Sequence, residues 1–220
     1  MSHVVVIGAG QAAASLVAKL RQDGFEGRIT LIGDEPAPPY QRPPLSKAYL
    51  LGEMELERLF LRPESFYAEH DIRLRPSIRV EAIDPDAKTL RAGGEEIAYD
   101  MLVLTTGSQP HRLPARIGGD LPGVYTVRTL ADVDAMAHEF GEGRRALVIG
   151  GGYIGLEAAA VAAKKGLRVT LVEMAERILG RVAAPETSAF FRKLHKDHGV
   201  DLPDHRRLSA PPAAGRDLPA

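Results

Sequence analysis

Two segments of the chain repeat one pattern of hydrophobic and polar positions. Each begins with a short apolar run, passes through a glycine-rich turn into a helical stretch, and ends with a second apolar run. The segments comprise strand 4–7, helix 11–22 and strand 28–32, and then a strand from Ala146, helix 153–165 and strand 168–173. Parallel strands need a crossover connection, which a helix supplies. The pattern therefore predicts two βαβ units.

The chain between these units predicts a small antiparallel sheet. The stretches SIRVEAID, AKTLRA and EEIAYD have the alternation of half-buried strands, and a Gly-Gly turn separates the last two. The apolar stretch MLVLTT that follows them is typical of a buried core strand. Ahead of this region, the prolines of EPAPPYQRPPLSK predict a loop that stops regular structure, and residues 54–70 are expected to be helical in pieces.

Two further helices are expected outside the βαβ units. Residues 113–128 are rich in Gly and Pro and predict a loop, whereas 129–140 predict a helix opened by Thr129 with Asp132 in its first turn. Residues 186–198 predict an amphipathic helix. Its apolar side is expected to carry Phe190, Phe191 and Leu194.

Composition excludes several function classes. The net charge of −1 gives no positive field for nucleic acid or acidic membranes, so neither is an expected partner. There is no cysteine, which excludes disulfides and a redox-active thiol pair, so electron chemistry needs a bound cofactor. The longest apolar stretch, 158–163, is too short to span a membrane, and no signal sequence precedes the first strand. We therefore expect a soluble, cytoplasmic protein.

The first glycine turn has the chemistry of a dinucleotide site. Gly8 permits a tight turn, Gly10 lets backbone amides approach a pyrophosphate, and Ala13 keeps the helix close to the strand. The helix N-terminus would face the phosphate with free N–H groups. An acid at the end of the second strand would bind ribose hydroxyls, and Asp34 is preferred there with Glu35 as the alternative. Ala12 lies in the same turn.

The second glycine turn repeats this arrangement. Its strand runs into Gly150 and Gly152, a helix follows, and the next strand ends at Glu173. A carboxylate there favours a free 2′-hydroxyl and repels a 2′-phosphate, so NADH is expected in preference to NADPH. The binding residues of this turn are expected to be Gly150, Gly152, Tyr153, Ile154 and Gly155. Two such sites in one chain suggest two dinucleotides meeting face to face, one of them a flavin.

Four stretches resemble the ferredoxin reductase-like flavoproteins of the glutathione reductase superfamily. They are VVVIGAGQAAA, PPYQRPPLSKAYL, MLVLTTGSQP and VIGGGYIGLEAAA. The PPLSK loop is the most specific of them, because glycine turns occur in many dinucleotide enzymes. The resemblance covers residues 3 to about 201. It implies an α/β fold with two Rossmann-like dinucleotide-binding domains and a small antiparallel β element.

The resemblance also implies roles for individual residues. Lys47 would sit beside the flavin ring, with Glu157 as its ionic partner near the nicotinamide, in what we expect to be the first turn of its helix. These two are the candidate catalytic residues, because a cation stabilises the negative charge of a reduced flavin. The remaining FAD-binding positions would be Asp34 at the ribose, Arg42 along the FAD, Val80 near the adenine, Thr106 and Gly107 at a strand end, and Arg128 on the flavin side.

The function implied is hydride transfer from NADH to FAD, followed by one-electron release to a ferredoxin- or rubredoxin-type iron–sulfur protein. The lack of cysteine separates the chain from disulfide reductases and coenzyme A disulfide reductases. Three alternatives stay open. They are the NADH-oxidising flavin module of a nitrite reductase or NADH oxidase, a redox interaction protein of the apoptosis-inducing-factor type, and an inactive fragment.

The family pattern stops at Asp201–Leu202, before the features that complete both domains. We therefore expect a C-terminally truncated chain in which both domains are incomplete, with an FAD-binding domain at 1–115 and an NAD-binding domain at 116–201. Residues 202–220 are rich in Pro, Ala and Arg and predict a disordered tail.

His195 and His198 have a spacing that could suit a metal on a helix. No acidic or cysteine partner lies near them in the sequence, so a solvated helix face is the expected environment and no metal site is predicted.

Overall fold

A computed structural model describes residues 1–203 of the chain. The backbone divides into two compact units. The first consists of residues 1–42 and 55–109, and the second of residues 43–54 together with the described residues from 110 onward. The second unit therefore contains the segment 43–54, whereas the domain boundary predicted at residue 115 places this segment in the first domain.

The helices and strands follow in chain order. They are β1 (His3–Ile7), α1 (Gln11–Gln22), β2 (Arg28–Ile32), α2 (Ala48–Leu51), α3 (Glu64–Glu69), β3 (Ile72–Arg75), β4 (Val80–Asp84), β5 (Thr89–Ala92), β6 (Glu95–Ala98), β7 (Met101–Leu104), α4 (Leu130–Ala137), β8 (Arg145–Ile149), α5 (Tyr153–Lys164), β9 (Arg168–Val172), α6 (Pro185–Asp197) and β10 (Val200–Asp201), with 3-10 turns at Pro43–Ser46, Leu56–Arg58 and Ala115–Ile117.

A four-stranded parallel sheet of order β3-β2-β1-β7 forms the centre of the first unit. Every residue of β1 is buried, as expected for a parallel strand covered on both faces. One face packs against α1, whose Ala13 and Val17 are fully buried beside Val4 and Val6. The predicted βαβ unit is confirmed, with its helix and second strand at the expected residues.

The predicted antiparallel sheet is also confirmed, with strand order β4-β5-β6. Leu90 and Ala92 of β5 pack in one cluster with Val5 and Ile7 of the parallel sheet. Sequence patterning did not identify β3 as a strand. This strand is only four residues long and two of these are arginines, so its sequence has no clear strand pattern. It is recognised as a strand by its parallel pairing with β2.

The second unit contains a three-stranded parallel sheet of order β10-β9-β8. Its core includes Leu156 and Ala159 of α5, together with Leu171 and Val200 from the strands. Leu202 packs into this core and is 3% exposed, so the prediction of a disordered tail is wrong at this residue. The rest of that prediction, from residue 204 onward, lies outside the described residues.

The stretch MLVLTT is not buried as predicted. It forms β7 at one edge of the parallel sheet, where Met101 and Leu104 are 47% and 60% exposed.

Three further local predictions need correction. The loop EPAPPYQRPPLSK is not wholly irregular, because Pro43–Ser46 form a 3-10 turn that leads into α2. The helix that Thr129 opens ends at Ala137 rather than at residue 140. Phe190 is not on the buried side of α6, since it is 62% exposed. No helix among residues 1–203 is both long enough and apolar enough to cross a membrane.

Candidate functional site

The first glycine turn is fixed by the backbone around Gly8. Its φ of +100° lies in the region that favours glycine, and a Cβ there would stand 2.3 Å from the carbonyl oxygen of Thr105. The Thr105 hydroxyl donates to the carbonyl oxygen of Gly8 at 2.7 Å, and the Gly8 N–H donates to that of Ile32 at 2.8 Å. Gly8 is therefore required by the fold itself.

Gly10 is different, because the fold leaves space around it. It caps the N-terminus of α1 in an extended conformation with φ −99°, and no side chain caps this helix end. A Cβ at Gly10 would meet nothing within 4 Å. The next residues divide between surface and core, with Ala12 exposed and Ala13 fully buried. First-turn N–H groups of α1 are thus available to an anion that approaches this turn.

The two acids after β2 have different surroundings. Glu35 accepts hydrogen bonds from the Tyr40 hydroxyl and from Nη2 of Arg42, both at 2.5 Å. Arg42 also lies over the Tyr40 ring, 5.0 Å from its centroid. Asp34 is exposed, and within residues 1–203 its carboxylate has only one long contact, 3.6 Å to Nη1 of Arg79. Of the two acids, Asp34 therefore has the more accessible carboxylate.

The other FAD-side candidates of the first unit lie at strand ends. Val80 begins β4 and is half-buried. Thr106 and Gly107 follow β7 and are exposed, and the Cα of Thr106 would be 2.9 Å from a Cβ on Gly8. The structure thus brings Thr106 beside the first glycine turn.

The second glycine turn repeats the geometry of the first. Gly150 has a φ of +107°, and a Cβ on Gly155 would lie 1.9 Å from the carbonyl oxygen of Gly150. Gly152 caps the N-terminus of α5 in an extended conformation without a capping side chain, and a Cβ there would meet nothing within 4 Å. Tyr153 and Ile154, the first residues of α5, are more than half exposed.

Glu173 closes this turn from the end of β9. Its Oε2 accepts the N–H of Gly151 at 2.7 Å, and its Oε1 accepts the N–H of Ala175 at 2.8 Å. The carboxylate is therefore held against the glycine turn, at the strand end where the sequence predicted it.

Lys47 and Glu157 form the predicted ion pair. Nζ of Lys47 lies 2.7 Å from Oε2 of Glu157 and also donates to the Pro43 carbonyl oxygen at 3.2 Å. Ser46 was not identified from the sequence, yet its hydroxyl donates to the same Oε2 at 2.6 Å. The sequence feature that could have identified Ser46 is its position next to Lys47. Glu157 is the fifth residue of α5, so its placement in the first turn was wrong, because the helix begins at Tyr153.

Arg128 lies two residues before α4, next to the N-cap Thr129. Its backbone N–H donates to Oδ2 of Asp132 at 3.1 Å, and the same carboxylate oxygen accepts the N–H of Thr129 at 2.9 Å. The Thr129 hydroxyl accepts the Asp132 N–H in return, which completes a capping box. The described geometry accounts for the backbone position of Arg128 at this helix start.

The prediction for the two histidines is half wrong. His198 is exposed, but His195 is 8% exposed and its Nε2 has no hydrogen-bond partner among the described residues. Burial lowers the pKa of His195, and the nearby His198 lowers it further. Residues 1–203 contain no group of three or more side chains suited to hold a metal ion.

These two turns can be compared with known proteins. The sequence profile of the pyridine nucleotide-disulphide oxidoreductase family matches residues 2–209. The chain belongs to that family. Similar proteins include a ferredoxin–NAD(P)(+) reductase from Sphingomonas, 46% identical over 200 residues, which are 90% of this chain and 48% of the relative. Putidaredoxin reductase CamA of Pseudomonas putida is 42% identical over 203 residues, 91% of this chain and 48% of that protein.

Solved structures support the same assignment. The reductase in a covalent putidaredoxin reductase–putidaredoxin complex superposes with a TM-score of 0.91 at 40% identity, covering 95% of this chain and 51% of that one. A ferredoxin reductase from Rhodopseudomonas palustris gives a TM-score of 0.91 at 39% identity, covering 98% and 53%. The chain spans about half the length of the relatives it matches. The family and its ferredoxin reductases use FAD and NAD(P)H. The predicted resemblance is confirmed, but the family match runs to residue 209, past the predicted end at Asp201–Leu202.

Proposed function

We propose that this chain supplies FAD- and NADH-binding residues of a flavin-dependent NADH oxidoreductase that passes electrons to a ferredoxin- or rubredoxin-type iron–sulfur protein. One observation carries the proposal. At both Gly10 and Gly152 the backbone is ordinary and the space for a side chain is empty, although each residue begins a helix that no side chain caps. The fold does not need glycine there, whereas a pyrophosphate lying against the amides does.

The residues around each turn fit the group proposed for it. In the first unit, Asp34 is accessible to ribose hydroxyls, and Arg42 is held in place by Glu35 and Tyr40. In the second unit, the fixed Glu173 carboxylate would accept ribose hydroxyls and repel a 2′-phosphate. Bound FAD would supply the chemistry that couples the two-electron oxidation of NADH to one-electron release.

Lys47 and Glu157 would act by charge and orientation. A lysine ammonium beside a flavin stabilises negative charge that develops on the ring, and the carboxylate 2.7 Å away limits where the ammonium can go. Val80, Thr106, Gly107 and Arg128 complete the proposed FAD side. No proton transfer by these side chains is needed for the hydride step, which depends on positioning.

The proposed acceptor rests on the names of the relatives. Reductases for putidaredoxin and rubredoxin are 42% and 38% identical to this chain over 91% and 94% of its length. We propose that this chain takes part in the same electron transfer that those names describe. We place the reaction in the cytoplasm, where NADH is available.

Titration of the purified chain with FAD tests the proposal directly. We expect a flavin spectrum that saturates near one FAD per chain, followed by bleaching on anaerobic addition of NADH and slower bleaching with NADPH. A chain that retains no flavin absorbance after excess FAD is removed would contradict FAD binding and favour the inactive-fragment alternative. Faster bleaching by NADPH would contradict the role given to Glu173.

A further inference from the structure

The hydroxyl of Ser46 is buried at the centre of the candidate catalytic pair. Ser46 is 4% exposed and ends the 3-10 turn Pro43–Ser46. A buried hydroxyl is costly unless it finds a partner, and the partner here is Oε2 of Glu157 at 2.6 Å. This contact joins residues 111 positions apart in the chain.

The backbone that carries Ser46 is firmly held in the second unit. Leu45 and Leu50 on either side are each 1% exposed. Within the turn, the Lys47 N–H donates to the Pro44 carbonyl oxygen at 2.9 Å. Prolines also fix φ in this turn. The backbone therefore holds the Ser46 side chain in a defined position.

Two donors meet on one oxygen of Glu157. Lys47 Nζ and Ser46 Oγ both contact Oε2, at 2.7 and 2.6 Å. No donor among residues 1–203 holds Oε1. The carboxylate is thus oriented from one side, which leaves its second oxygen to face a ligand.

The serine, rather than the lysine, is the firmer of the two donors. The side chains of Lys47 and Glu157 are 48% and 30% exposed, and solvent screens an ion pair of that kind. A lysine side chain also loses many rotamers when it is fixed in one position, whereas a serine side chain is short and has few rotamers. Hydrogen bonds from a neutral donor to a charged acceptor are among the stronger ones.

We propose that Ser46 is a positioning residue that fixes the Glu157 carboxylate and, through it, the place of Lys47. The hydroxyl keeps Oε2 turned toward the loop whether or not the lysine is in contact. Oε1 is then presented in one orientation to the NADH that the proposed function puts beside it. The effect on NADH rests on that proposed function, but the effect on Lys47 does not.

The cofactor-free 220-residue chain tests the effect on Lys47. Reductive methylation with ¹³C-formaldehyde gives each lysine an NMR signal, and Lys47→Arg assigns that of Lys47. In Ser46→Ala we expect the signal to move most of the way to its position in Glu157→Gln, because the carboxylate is no longer fixed. A signal that stays at the wild-type position in Ser46→Ala overturns the proposal.

Ser188→Ala is the matched control. Ser188 is 3% exposed in the same unit, and its hydroxyl donates to the Ile178 carbonyl oxygen at 2.7 Å. This variant loses a buried hydroxyl of the same kind, and we expect its Lys47 signal to stay in place. Movement of the signal by the same amount in both serine variants overturns the proposal, since general loosening of the unit would then explain it.

NADH binding supplies the second measurement. We expect Ser46→Ala to weaken NADH binding about tenfold, because the Glu157 side chain must then lose its rotamer freedom when NADH binds. We expect no further effect in a Glu157→Gln background. An equal loss in both backgrounds overturns the proposal. If the wild-type chain binds no NADH, the proposed function fails, and the Lys47 signal alone decides the role of Ser46.

Discussion

Two tyrosines of the first unit show how a buried hydroxyl depends on its neighbours. Tyr67 is 2% exposed, and its hydroxyl has no hydrogen-bond partner among the described residues. Burial raises the pKa of Tyr67 to about 12, an effect that the charge of Arg62 opposes. Tyr40 is 4% exposed, but its hydroxyl donates to Glu35 at 2.5 Å. The sequence gives no means of telling these two hydroxyls apart.

We predict opposite outcomes for the two Tyr→Phe substitutions. Tyr67→Phe removes a hydroxyl that has no partner within residues 1–203, so the free energy of unfolding should stay within about 0.5 kcal/mol of wild type or increase. Tyr40→Phe removes a hydrogen bond to a carboxylate and should lower that free energy by about 1.5–3 kcal/mol. Urea denaturation of both variants measures the difference. Equal losses would show that the Tyr67 hydroxyl is in fact satisfied.

At the level of elements, the two strand–turn–helix segments were the most predictable part of the chain. Their signals are local, since an apolar run, a glycine and a helical stretch follow one another directly. The strand β3 was missed because its burial comes from pairing with β2, about 40 residues earlier. The buried face of α6 was misjudged for the same kind of reason, since packing placed Ser188 and His195 inside and Phe190 outside.

The glycines of the second turn should separate folding from binding. Gly155→Ala puts a Cβ 1.9 Å from a backbone carbonyl oxygen and should destabilise the chain by about 3 kcal/mol. Gly152→Ala meets no atom within 4 Å and should cost less than about 1 kcal/mol.

The same Gly152→Ala chain should nevertheless bind NADH at least about tenfold more weakly, because the new methyl group occupies the space proposed for the pyrophosphate. Denaturation and NADH titration of the two variants give the comparison. Unchanged NADH affinity in Gly152→Ala would contradict the site proposed at this turn.

At the scale of the whole molecule, each unit buries one histidine among residues 1–203. His3 is 5% exposed in the first unit, where its ring contacts the Ala98 carbonyl oxygen at 2.8 Å and the Thr30 hydroxyl at 2.9 Å. Burial lowers the pKa of His3 below 6.5, the Ala98 carbonyl opposes this, and Arg28 adds to it. His195 is its counterpart in the second unit, with a pKa also lowered by burial.

We therefore predict that acid destabilises both units. A histidine whose pKa is lowered by folding contributes stability above its unfolded pKa and loses it as the pH falls, because the unfolded chain binds the proton more readily. The free energy of unfolding should decrease from about pH 7.5 to about pH 5.5. His3→Gln and His195→Gln should each reduce the decrease, as measured by urea denaturation at the two pH values. If the free energy of unfolding decreases in both variants by the same amount as in wild type, groups other than these histidines cause the effect.

The sequence by itself determined the two glycine turns, their helices and strands, the family, and the place of Glu173 at the end of a strand. These depend on short-range chemistry, because a turn needs its glycine and a carboxylate at a strand end is fixed by its place in the chain. Only the tertiary structure decided that Glu35 pairs with Arg42, that Ser46 holds Glu157, and that the segment 43–54 joins the second unit. The contact between Ser46 and Glu157, for example, joins groups 111 residues apart, and local sequence does not say which distant partner a buried polar group will meet.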